Sequence, residues 1–162
     1  MTLTAYLKIG DIAGESRRAE HEDEIDVHGL QWKIAQQSSL LQRVGRGRAR
    51  ARATVDALTC LKFTDASSPY LALACFQGRS FPEATLAVRK DSGEAHLDYL
   101  VITMENVTVS GYEMSNDAGD DEVVAERLGL TFEKVTYTYI VQNDDQSSGD
   151  EHEVEFDIAA AV

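Results

Sequence analysis

The chain has 162 residues, 43% of them apolar and 27% charged, with a net charge of −13; this fits one soluble globular domain over residues 1–162 that buries its own core. The acidic balance argues against nucleic-acid binding, because phosphate contacts need a basic face. No apolar signal core follows Met1 and no apolar run approaches the roughly 20 residues of a membrane span, so the expectation is a protein without membrane insertion, made in the cytoplasm, that is secreted only by a route reading no N-terminal signal peptide.

In chain order, the dominant pattern is alternation with period two, the mark of strands with one buried face. Leu3, Ala5, Leu7 and Ile9 form the first strand, which Gly10-Asp11 ends. Ile25 and Val27 open a second, continued by Leu30, Trp32 and Ile34; the apolar parity flips across Gly29, which places a bulge there. Val55, Ala57, Thr59, Leu61 and Phe63 read as the buried face of a third strand. Ser68, Pro69 and Gly78 delimit a helix over about 69–77, with Leu71, Ala74 and Cys75 as its apolar stripe.

Leu86 and Val88 mark a short fourth strand, and residues 97–109 a long fifth. In that fifth strand Leu97, Tyr99 and Val101 face one way while Leu100, Ile102 and Met104 face the other. A strand apolar on both faces is covered on both. One side faces the core, so the other needs a helix or a neighbouring subunit; Tyr99, Leu100, Ile102 and Met104 are the candidate interface residues. Leu128, Leu130 and Phe132 give a sixth strand, a bend near Glu133-Lys134 switches parity to Val135, Tyr137, Tyr139 and Val141, and Val154, Phe156 and Ile158 close the series. The fold class is mainly β: an antiparallel barrel of about seven or more strands, closed or nearly closed, with one flanking helix.

Charge is unevenly placed: residues 1–90 carry a net +3 and residues 91–162 a net −16. Two such halves could meet within the fold or between copies, or leave a solvated acidic surface. Cys60 and Cys75 lie in apolar runs and read as reduced, buried thiols. His21, His28, His96 and His152 fall in no zinc spacing with them, and the acid-rich 116–122 and 143–153 segments do not follow calcium-loop spacing. No nucleophile elbow, phosphate loop or dinucleotide glycine pattern occurs. No catalytic, cofactor or metal residue is therefore assigned, and the chain is not read as an enzyme.

Five segments resemble one family in order. Ala5–Ser16 matches an apolar strand running into KIGDIxGES. Glu24-Ile25-Asp26-Val27 with Trp32 matches EIDV…W, and Thr64–Cys75 (TDASSPYLALAC) resembles a strand-to-helix segment. Phe81–Lys90 fits xPxAxLxxRK, and Tyr99–Met104 fits YLxITL. Together they cover the chain from Met1 to about Tyr139 and resemble the Hcp (haemolysin-coregulated protein) family of type VI secretion. The resemblance implies a homohexameric ring of β-barrels, rings stacked into a hollow tube, a contractile sheath and a spike and baseplate as partners, and effectors carried in the lumen. The alternative is a free-standing ring or a monomeric binding or adaptor module that builds no tube.

The segment 38–52 departs from the family's glycine-rich pattern. Arg43, Arg46, Arg48, Arg50 and Arg52 make up half of the chain's ten arginines, and no acid lies between Val27 and Val55. These residues are expected to reach the next ring and pair with an acidic surface from 113–126 or 142–155. The alternative is a solvated hairpin tip with no partner.

Overall fold

The computed structural model describes residues 3–36, 53–92, 95–116 and 122–162. The elements are β1 (Ala5–Ile9), β2 (Ile25–Val27), β3 (Gly29–Gln31), β4 (Ile34–Gln36), β5 (Ala53–Val55), β6 (Leu58–Phe63), α1 (Ser68–Gln77), β7 (Ser80–Ser92), β8 (Ala95–Ser115), β9 (Ala125–Thr131), β10 (Lys134–Gln142) and β11 (Ser148–Asp157). All pairings are antiparallel, and the main sheet runs β2-β1-β7-β8-β9-β6-β3. Its two ends, β2 and β3, are separated in sequence by His28 alone, whose N–H donates to the Leu61 carbonyl at 2.9 Å. The sheet is therefore barrel-like, although β2 and β6 share no ladder. The parity flip at Gly29 is where the chain leaves β1 and joins β6. A Cβ at Gly29 would sit 2.9 Å from Leu61 Cδ1, so any larger residue there must displace the Leu61 side chain.

β8 organises the rest. Its residues 100–105 lie between β7 and β10, and its residues 108–115 pair with β9. Asn106, at φ 52°, and a register shift between Val109 and Gly111 fall where the partner changes. The β10–β11 hairpin thus extends from the side of the barrel.

Several elements differ from the sequence reading: the second strand is three short pieces, β2, β3 and β4, the last pairing only with β5, and the fifth strand runs over 95–115 rather than 97–109. The third strand is two pieces, β5 and β6, and the buried set in β6 is Leu58, Cys60 and Lys62 rather than Leu61 and Phe63. A lysine in the core breaks an apolar count, and here it is buried by an ion pair with Glu126. The fourth strand is longer than expected, at 13 residues, because Arg89, Lys90 and Asp91 stay in the ladder with β8.

The helix ends as expected, on Gly78 in the left-handed conformation at φ 60°. It starts differently. Ser67 holds the N-cap position, and the Ser68 hydroxyl is spent instead on Glu126 and Lys62, at 3.0 Å each. α1 buries Leu71 and Ala74 against the barrel and turns Tyr70, Leu73 and Phe76 outward.

A candidate assembly surface and its buried supports

One face of β8 is core. Ile102 and Met104 are 2% and 0% exposed and stand opposite Leu86 and Ala84 of β7. The expectation that these two belong to a subunit interface is therefore corrected: their own barrel already covers them. Leu100 is half-buried against the same core, and Tyr99, at the register shift between Val88 and Arg89, also packs against it, while Val101 stands on the other face opposite Ala87. Tyr99 meets the Tyr139 ring edge-on at 6.3 Å and carries the Lys90 ammonium 4.5 Å above its face.

The core face does not stop at β8. Directly paired residues share a face, so the row Leu86–Ile102–Tyr137–Val154 runs across four strands, with exposures of 0%, 2%, 39% and 68%. The neighbouring row Ala84–Met104–Val135–Phe156 ends on Phe156 at 38%. An apolar surface that begins inside the barrel thus emerges on β10 and β11. Across from it stand Trp32, Ile34 and Val55, which form the second wall of a groove of about 370 Å³ with Tyr137, Val154 and Phe156. Covering such area contributes about 25 cal/mol per Å².

Two buried polar clusters hold the scaffold. Beneath the first turn of α1, Lys62 reaches Glu126 at 2.8 Å and Asp65 at 3.2 Å. Burial alone would raise the Glu126 carboxyl, but hydrogen bonds from Lys62 and Ser68 outweigh it and hold the group below the usual carboxylate range. Burial and the neighbouring Glu126 carboxylate push the Tyr112 hydroxyl up to about 12. The second cluster pins residues 14–24 onto β7 and β8. His21 stacks on Tyr6 at 4.4 Å and places its two ring nitrogens 3.0 Å from Glu24 and 2.8 Å from Asp98. Arg89 donates to Asp98 at 2.7 Å and to the Ala19 carbonyl at 2.9 Å. Burial opposes ionisation of Asp98, and the Arg89 and His21 hydrogen bonds overcome it, lowering its pKa.

Among the described residues no three His, Cys, Asp or Glu side chains converge to hold a metal ion, and no helix is long and apolar enough to cross a membrane. Arg43, Arg46, Arg48, Arg50 and Arg52 lie outside the described residues.

A barrel-like sheet with a flanking helix and an apolar face running off its side matches known proteins closely. The family model described as "Type VI secretion system effector, Hcp" matches residues 6–139. The protein named Hcp1 of Pseudomonas aeruginosa is 35% identical over 90% of this chain and 88% of that one. The chain belongs to the Hcp family of type VI secretion. Hcp1 of Salmonella typhimurium, a crystal structure, superposes with a TM-score of 0.78 at 26% identity, covering 100% of this chain and 99% of that one. A structure described as a type six secretion system protein matches at a TM-score of 0.88 over 99% of this chain and 98% of that one, and at 23% identity it supports the fold. Family membership makes the chain a type VI secretion tube or effector protein.

Sequence reasoning missed the exposed helix face of Tyr70, Leu73 and Phe76. Their spacing was legible as a second stripe beside Leu71 and Ala74. It also missed the Lys62–Glu126 pair, which joins residues 64 apart and has no local signature.

Proposed function

We propose that this Hcp-family chain is a structural ring subunit rather than a catalyst. Six copies close into a ring, and rings stack into a hollow tube that a sheath expels and a spike and baseplate terminate. The tube carries effectors in its lumen. The protein is made in the cytoplasm and exported by the type VI secretion apparatus.

What supports this reading is the apolar row that begins at Leu86 and comes out at Val154. A lone barrel gains nothing by extending its core face onto an exposed edge hairpin; a neighbour seated on that face does. A closed ring needs a head-to-tail contact between two different patches. Tyr99 and Leu100 lie on β8 beside the row, Leu100 directly opposite the exposed Tyr139, and α1 supplies a separate apolar face. Stacking falls to Arg43, Arg46, Arg48, Arg50 and Arg52, which pair with an acidic surface of the next ring.

Native mass measurement tests the ring. A particle near six times 17.8 kDa supports it. A stable monomer at high concentration overturns it and favours a monomeric adaptor. Electron microscopy of the same sample should show a central pore. For stacking, Arg46→Glu with Arg48→Glu should shorten or abolish tubes; unchanged tubes at low salt would remove that role.

A further inference from the structure

A cleft of about 450 Å³ opens between β1, β2 and the turn ahead of α1. Its walls include Tyr6, Asp26 and His28 from the strands, Glu15 and Arg18 from the segment that follows β1, and Phe63 and Asp65 from the end of β6. Two of these groups are incomplete. Tyr6 is 1% exposed, and its hydroxyl is buried with no hydrogen-bond partner. His28 Nε2 is likewise buried and unpartnered, on a ring that stacks against Phe63 at 4.3 Å. A buried polar atom without a partner costs stability, so it marks a place where something is missing.

The surrounding charge says what is missing. Glu15, Asp26 and Asp65 put three carboxylates on the walls against one guanidinium, Arg18, at the exposed rim. Glu15 accepts from the Ala66 N–H at 3.0 Å, and Asp65 from Lys62 and Ser67. Glu15 thus keeps acceptor capacity, and on Asp65 these donors, with the Ser68 hydroxyl, all fall on Oδ1 and leave Oδ2 open. Burial, and then the Asp65 and Glu15 carboxylates, raise the Asp26 pKa, against the pull of Ser16 and Arg18. An incoming cation relieves that crowding, whereas an anion worsens it. A guanidinium offers five N–H donors and no acceptor, and its flat face can lie on the exposed Phe63 ring.

We propose that this cleft is a receptor for a guanidinium group, filled by an arginine of the 43–52 segment of a second copy of the chain. That segment carries five arginines and meets no acid in its own neighbourhood from His28 to Thr54. The acids of 142–155 are a weaker destination. Among the described residues, no buried unpartnered polar atom lies among them to receive a donor, as Tyr6 and His28 do in the cleft. Receptor and donor are different parts of one chain, so the contact propagates from copy to copy. The inference rests on the stacking reading for the source of the arginine, and not for the chemistry of the cleft.

The test uses the full chain with Arg43, Arg46, Arg48, Arg50 and Arg52 all changed to Ser, so that no copy fills another's cleft. A synthetic peptide of residues 37–52 is titrated against it at low salt. Saturable binding is expected, weakened at least tenfold by Asp26→Asn and by Tyr6→Phe. Tyr6→Phe removes only a hydroxyl that has no partner in the fold, so thermal stability should hold while binding falls. Absence of binding, or equal binding to both variants, overturns the receptor.

The source is tested by mixing one chain carrying Asp26→Cys with another carrying Arg46→Cys, both with Cys75→Ser. A disulfide between the two chains supports the second-copy source. Peptide binding without that cross-link overturns it and assigns the arginine to another protein. Unchanged tube stacking by the five-serine chain, with peptide binding retained, would count against the stacking reading alone.

Discussion

Lys62 and Glu126 lie 64 positions apart and form a 2.8 Å ion pair in which neither side chain has exposed surface. Removing one partner leaves the other charge buried and alone, which costs about 3–5 kcal/mol. Lys62→Met should therefore lower stability by that order in chemical denaturation. Adding Glu126→Leu to the same chain should restore part of the loss, because the fully buried carboxylate is gone while Asp65, 13% exposed, keeps its serine hydrogen bonds.

The same pair, with Asp98, sets the acid limit of the fold. Glu126 and Asp98 both have lowered pKa values in the folded chain. Each binds its proton more weakly folded than unfolded, so its contribution is complete above the ordinary carboxylate pKa of about 4. That contribution is lost as pH falls through the lower, folded value. Thermal unfolding between pH 7 and pH 2 should show a plateau and then a decline. Glu126→Gln should flatten the decline.

Asp98 also holds the segment of residues 14–24 in place through Arg89 and His21, whose side chains are only 3% and 9% exposed. Asp98→Ala leaves the buried Arg89 guanidinium only the Ala19 carbonyl and the exposed Glu20 as partners. The backbone bonds within that segment, such as Asp23 N–H to the Ser16 carbonyl at 2.8 Å, should then open more often. Hydrogen exchange should rise across residues 14–24 and stay low in β9, which the cluster does not touch.

Much of this scaffold was legible in the sequence because its strands alternate cleanly. The β9 face of Leu128 and Leu130 and the bend at Glu133 follow from parity, whereas the flip at Gly29, read as a bulge within one strand, is a change of sheet partner. β6 failed that test because Lys62 occupies a core position and Leu61 an outward one. The alternation rule assumes that charge faces water, and a pair closed across 64 residues defeats it. The interface reading of β8 failed in part for a related reason. Two apolar faces can be counted from sequence, but which face meets the core depends on register with β7 and β10, and that register put Ile102 and Met104 inside.

Cys60 gives a chemical check on core packing. Burial pushes its thiol up to about 12, and the thiolate is the reactive form. Alkylation of the native protein at pH 8 should leave Cys60 unmodified, with reaction appearing only in denaturant. Modification without denaturant, read by peptide mass, would mean that the β6–β9 face opens.

The row from Leu86 to Val154 separates folding from assembly along a single line of side chains. Ile102, 2% exposed, lies at its buried part, and Ile102→Ala should cost about 2–5 kcal/mol of stability through the cavity it leaves. Val154, 68% exposed, lies at its open end. Val154→Glu should change the stability of an isolated chain by no more than about 0.5 kcal/mol, since exposed positions contribute little to folding. It should still weaken the ring, because a carboxylate set into an apolar contact must be desolvated without a partner. Sedimentation should then show a shift from the assembled particle toward smaller species, with circular dichroism unchanged. An intact ring carrying Val154→Glu would show that the emerging apolar row is not where copies meet, and would move the contact to the Tyr70, Leu73 and Phe76 face of α1.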